Sequence, residues 1–106
     1  MKKEELLITE YIRYQIAEDR IEGFIEDYAK AAESLEKSPY CQGYDLTQCS
    51  EDKTLFVLRI LWTSTEDHLQ GFRKSKEFQS FFASIKPYLG NILEMKHYEF
   101  TRVKSA

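Results

Sequence analysis

LFVLRILWTSTEDHLQGFRKSKEFQSFF, residues Leu55 to Phe82, is the stretch that decides the fold. Leu55 to Leu58 and Ile60 to Trp62 are aliphatic and aromatic enough to predict a strand covered on both faces. The period then changes. Thr63, Ser64 and Thr65 supply helix-capping oxygens, and Ser64 with Asp67 three residues later is a capping pattern. A short helix through Leu69 and Phe72 is expected. Ser75 restarts a helix whose apolar positions are Phe78, Phe81, Phe82, Ile85, Tyr88 and Leu89, the spacing of one helical face. In a chain this small, helices can cover only one face of such a strand. The other face calls for a second copy of the chain, so a homodimer is expected.

Outward from that stretch the chain alternates. ITEYIRYQI, Ile8 to Ile16, places Ile8, Ile12, Tyr14 and Ile16 on one face of a strand. Asp19 and Glu22 have the spacing of a capping box. The next helix carries the stripe Ile21, Phe24, Ile25, Tyr28, Ala31, Ala32 and Leu35, and ends before Ser38-Pro39 because proline disfavours helical geometry in the preceding residue. Tyr40 to Cys49 reads as a strand with Gly43 marking a bulge or close approach, and Ser50 to Lys53 as a polar hairpin loop. Pro87 kinks or ends the last helix, Gly90-Asn91 stops it, and Ile92 to Val103 is a final strand. The order β-α-β-β-α-β predicts an α+β, ferredoxin-like fold with an antiparallel sheet, one domain over residues 1–106.

The 106 residues are 42% hydrophobic and 31% charged with a net charge of −3, a balance with no electrostatic drive toward nucleic acid or anionic membrane. No run approaches the ~20 apolar residues of a membrane span. The N-terminal MKKEELLITEY begins basic, but Glu4 and Glu5 interrupt it and no apolar leader core follows. A cytoplasmic protein with reduced thiols is expected. Cys41 and Cys49 stand too far apart on one extended strand for a disulfide, and no metal-ligand spacing surrounds them.

Few residues can carry chemistry. Glu10 alternates into the apolar face of Ile8 and Ile12, where a carboxylate has a raised pKa or a basic partner; it reads as a general base or as a paired structural charge. Arg59, inside an apolar strand, is an anion holder or half of an ion pair, with Asp45, Glu94 and Glu99 as candidate partners. His97, held in a strand, is an acid–base candidate or a hydrogen-bonded core residue. His68 falls in the polar first turn of a helix and is expected to be solvated; two isolated histidines make no metal site. Trp62, Tyr14, Tyr44, Phe72 and Phe82 wall a flat pocket between helices and sheet or serve as ordinary core. Phosphate loops, nucleotide fingerprints and Ser-His-Asp sets do not occur.

The order of elements, together with ITEYIRYQI, the GYDL of strand two, the Trp-helix-Ser-x-x-Phe layout of LRILWTSTEDHLQGFRKSKEF and the closing MKHYEF, resembles the antibiotic biosynthesis monooxygenase (ABM) family of dimeric α/β barrels. The resemblance implies homodimers whose sheets face each other. It also implies a cofactor-independent monooxygenase acting on a small phenol or quinol, needing neither metal nor flavin. In that picture Glu10 or His97 takes a proton, Arg59 holds the anion, and Trp62 and Tyr44 flank the ring, with Tyr14, Phe72 and Phe82 contributing to substrate binding. Arg59 and Trp62, however, have opposite parity on one strand and cannot share a pocket. The alternative is a dimeric small-molecule-binding or accessory domain without turnover. Haem-degrading members of the family use an Asn on the first strand, a Trp in the helix after the third strand and a His in the next helix. Those positions fall near Glu10, on Phe72 and on Phe82, so haem degradation is not expected.

Overall fold

The computed structural model describes residues 7–105. The basic start expected at Lys2 to Glu5 lies outside the described residues. Four strands, β1 (Ile8–Gln15), β2 (Cys41–Gln48), β3 (Leu55–Trp62) and β4 (Ile92–Glu99), form one antiparallel sheet in the order β2-β3-β1-β4. Two helices, α1 (Ile21–Lys37) and α2 (Lys76–Ile85), cross one face. This is the ferredoxin-like arrangement, with β1 central and β4 beside it.

Local chemistry accounts for most boundaries. Alternation puts Ile8, Glu10, Ile12 and Tyr14 of β1 and Phe56, Leu58, Ile60 and Trp62 of β3 under the helices, all buried. The pairing of β2 with β3 shifts between Cys41 and Gly43, a bulge where Gly43 predicted one. α1 stops at Lys37, before Ser38-Pro39. Ser75 caps α2, its Oγ accepting from the Phe78 N–H at 3.2 Å. Pro87 sits in the first turn of a 3-10 segment, Lys86–Asn91, that continues from α2 into β4.

Four expectations are corrected. Asp19 and Glu22 form no capping box: α1 grows from a 3-10 turn at Glu18–Arg20, and no side chain caps either element. Ile25, placed in the stripe of α1, is 43% exposed because the helix turns Phe24, Tyr28, Ala31, Ser34 and Leu35 inward instead. The short helix after β3 is a π-type turn, Asp67–Gly71, followed by a 3-10 turn, Phe72–Lys74. β4 ends at Glu99 rather than Val103. In the single chain the helices cover one face of β3, while Leu55, Val57 and Leu61 on the other are half-buried and Arg59 is exposed.

The core is an aromatic cluster with Phe24 at its hub. Its ring lies 5.0 Å from Tyr14, 5.1 Å from Tyr28, 4.9 Å from Phe56 and 5.0 Å from Tyr88. Tilted and edge-to-face contacts of this kind add to area burial. The Tyr14 and Tyr28 hydroxyls bond to each other beneath it, which satisfies two polar groups that the cluster has stripped of water. Phe24→Ala is therefore expected to destabilise the fold by about 3–5 kcal/mol. Urea unfolding checks this, and a loss below about 1 kcal/mol would remove Phe24 from the centre of the core.

Candidate active site

The site begins with β1. Glu10 pairs with Ile60 on β3 and with His97 on β4, so its side chain rises between two strands on the helix-covered face. Trp62 lies on the same face, where its indole Nε1–H donates to Glu10 Oε1 at 3.0 Å. At 2% exposure Glu10 is almost wholly removed from water. Burying a carboxylate costs several kcal/mol, and one charge-assisted hydrogen bond returns about 1.5–3 kcal/mol. Burial consequently raises the Glu10 pKa, against the smaller opposing effects of the Trp62 bond and the positive charge of Arg73.

His68 completes the cluster, and its position corrects the expected solvated side chain. The Asp67 N–H donates to Ser64 Oγ at 2.9 Å, and the Thr63 hydroxyl donates to the Asp67 carboxylate. The capped turn folds His68 back onto Trp62, with ring centroids 4.4 Å apart and planes 7° from parallel. His68 is 3% exposed. Its Nε2 stands 3.5 Å from Glu10 Oε1, and its Nδ1 lies 2.7 Å from His97 Nε2. The first contact has the geometry of an ion pair. Burial, His97 and Arg73 nevertheless push His68 down to about 3, so the ring is neutral and the contact joins an imidazole to a carboxyl group. His97 is lowered in the same direction, by burial and by Arg73.

Beside this cluster lies a cavity of about 200 Å³ between the sheet and α2. Glu10, Trp62 and His68 line it together with Tyr14, Phe72 and Phe82. Arg73, from the 3-10 turn, contributes the one guanidinium among the lining residues and is itself exposed. Tyr14 is pushed up to about 12 by burial and stays protonated at any ordinary pH.

Of the residues singled out in the sequence, Glu10, Tyr14, Trp62, Phe72 and Phe82 meet at this cavity. His97 joins through its bond to His68. Two do not meet it. Arg59 projects from the opposite sheet face and pairs with Asp45, as strand parity requires. Tyr44 donates to Glu36 Oε1 at 2.9 Å and lines a separate groove with Ile25 and Leu35. Sequence reasoning missed His68 and Arg73. The available signal was register: a ferredoxin-like order sets β4 beside β1, which aligns His97 with Glu10, and a tight capped turn after Trp62 returns His68 to the same face.

Glu10, His68 and His97 offer donor atoms within 4.8 Å of one another. Metal–nitrogen bonds of roughly 2.0–2.1 Å set ligand atoms about 3.0–3.4 Å apart around one ion. The 2.7 Å between the two histidines is a hydrogen bond instead. The nearby Arg73 charge also opposes a cation. The three residues are assembled as a hydrogen-bonded row, and their geometry does not fit a metal cage.

Residues 7–84 match the model of the antibiotic biosynthesis monooxygenase family. The chain belongs to that family. Among curated proteins, uncharacterized protein YczJ of Bacillus subtilis is 24% identical over 93 residues, covering 88% of this chain and 98% of its own length. A conserved protein from Methanosarcina mazei shares the fold at a TM-score of 0.78 and 19% identity, over 93% of this chain and 97% of that one. SnoaB of Streptomyces nogalater, a cofactor-independent oxygenase, superposes at a TM-score of 0.71 with 14% identity, over 93% and 95% of the two chains. The family model and SnoaB are both described by oxygenase activity, while the other two proteins carry no stated activity. No described helix is long and apolar enough to cross a membrane.

The lowered His68 pKa has a measurable consequence. Between about pH 3 and 6.5 the unfolded chain binds a proton at His68 that the native protein does not. Stability at this residue is therefore fully present above pH 6.5 and is lost as pH falls toward 3. In His68→Gln the slope of unfolding free energy against pH should flatten across this window, by up to about 1.4 kcal/mol per pH unit. Urea titrations at several pH values measure it. An unchanged slope would mean that His68 is charged or solvated in the native state.

Proposed function

We propose that this ABM domain is a cofactor-independent monooxygenase for a small phenol or quinol, with Glu10 as the proton acceptor. One observation carries the reading: a carboxylate of raised pKa stands at the wall of an aromatic cavity, held by a donor-only indole. A carboxylate whose pKa burial raises is a stronger base toward a phenolic proton than an exposed one. The cavity volume is below the roughly 300–1,000 Å³ of drug-sized sites, which suits one ring or two small ones. Arg73 takes the role first considered for Arg59, holding the phenolate at the cavity wall.

The electrons come from the substrate. Glu10 removes the phenolic proton. The phenolate passes one electron to dioxygen, and the two radicals combine to form a carbon–oxygen bond. The resulting hydroperoxide loses the ring proton at that carbon and expels hydroxide, leaving a quinone carbonyl and water. A phenol and one dioxygen give a quinone and one water, so no external reductant enters the balance. The protein contributes orientation, water exclusion and charge placement.

Oxygen uptake with a panel of phenols and quinols tests the reading. A substrate should be consumed with one dioxygen per quinone formed. Glu10→Gln should lower kcat by about 10²-fold or more while ligand-induced quenching of Trp62 fluorescence survives. Arg73→Gln should weaken binding of the more acidic phenols most. Ligand binding without oxygen uptake would make the domain a binding module instead.

The open sheet face supports a homodimer. It presents Leu55, Val57 and Leu61 half-buried, with Tyr98 46% exposed at the edge of Tyr11. Light scattering at micromolar concentration should give twice the chain mass, and Val57→Asp should shift it toward monomer. A monomeric parent protein would count against this assembly.

A further inference from the structure

We propose that His68 and His97 form a proton path connecting the buried carboxyl of Glu10 with the protein surface. The proposal rests on the reading of Glu10 as the base and goes beyond it, because it says where the proton goes.

The geometry is a row of three groups from three elements. Glu10 on β1 is buried, His68 on the π-type turn is buried, and His97 on β4 is half-buried. The links are 3.5 Å from Glu10 Oε1 to His68 Nε2 and 2.7 Å from His68 Nδ1 to His97 Nε2. Each histidine has its second ring nitrogen available, the minimum a relay requires. Stacking on Trp62 fixes the His68 ring so that one nitrogen faces each neighbour. A ring held only for packing has no need of a nitrogen at both ends of such a row.

A path is needed because a bound ligand fills the cavity through which water would otherwise reach Glu10. Trp62 cannot take a proton from Glu10, since an indole N–H only donates. Arg73 is always charged and cannot accept one. Tyr14, pushed up to about 12, keeps its own proton, and its hydroxyl is bonded to Tyr28 rather than to Glu10. Among the titratable groups packed around Glu10, that leaves His68 and, beyond it, His97. In the outward step Glu10 gives its proton to His68 Nε2, His68 gives its Nδ1 proton to His97 Nε2, and His97 releases its Nδ1 proton to solvent. This leaves both rings protonated on Nε2, ready for the reverse step. A proton then enters at His97 Nδ1, moves along the row and returns to Glu10, where it protonates the substrate peroxide. One proton leaves and one returns in each turnover, so the row is reset. The longer link has to shorten as the transfer occurs, as such contacts do on forming the reactive complex.

Two measurements test this. In the free protein, nitrogen-15 NMR of labelled histidines should show His68 neutral from pH 5 to 8, with coupling across the hydrogen bond to His97. A charged His68, or no coupling, overturns the proposal without reference to turnover. In the oxygen-uptake assay, His97→Gln keeps a hydrogen-bonding side chain but removes the titrating ring. Its kcat should fall about tenfold with KM unchanged, the solvent deuterium isotope effect should rise, and added imidazole should restore the rate in the variant but not in the parent. A His97→Gln protein with full kcat and no response to imidazole overturns the path alone. Full activity in Glu10→Gln overturns the base reading and the path together.

Discussion

The hydrogen bond between the Trp62 indole and the Glu10 carboxyl, in a place nearly free of water, governs the rest of the site. A carboxylate at that depth costs more than one donor returns. The surroundings answer the deficit in ways that the proposed proton transfer would use. The pKa rises, so the group becomes a better base. A neutral imidazole moves in behind it. A guanidinium lines the cavity where its charge is felt by Glu10, His68 and His97 alike. A hydrophobic residue of similar volume would suit the apolar face of β1 better than Glu10 does.

The fold was legible because period and punctuation agree. The change from a strand run to a helical stripe at Trp62, the proline after Ser38, the glycine at the β2 bulge and the serine before Lys76 all mark real boundaries. What failed was whatever depended on three-dimensional cover. Ile25 fits the α1 stripe by sequence spacing, yet the helix is rotated so that solvent reaches it. Asp19 and Glu22 have capping spacing, but a 3-10 turn leads into the helix, so no N-cap geometry exists for them.

The site was half legible for the same reason. Strand parity alone placed Glu10, Tyr14 and Trp62 together and separated Arg59 from them. His68 and Arg73 lie on consecutive tight turns rather than on the helix expected there, and turn geometry is not encoded in hydrophobic period. A histidine that follows Glu66 and Asp67 in the first turn of a helix reads as surface; only the reversal of the chain over Trp62 buries it. Tyr44 failed differently. Its strand lies on the far side of β3 from β1, so its hydroxyl finds Glu36 on α1 before it can reach the cavity.

The central claim is that Glu10 takes the proton of a phenol bound in this cavity. Difference infrared spectroscopy on phenol binding, without oxygen, tests it most directly. The account predicts a new carbonyl stretch of a protonated carboxylic acid, together with phenolate bands of the ligand, and both should vanish in Glu10→Gln. A phenol that binds in its neutral form while the carboxylate bands stay unchanged would contradict it.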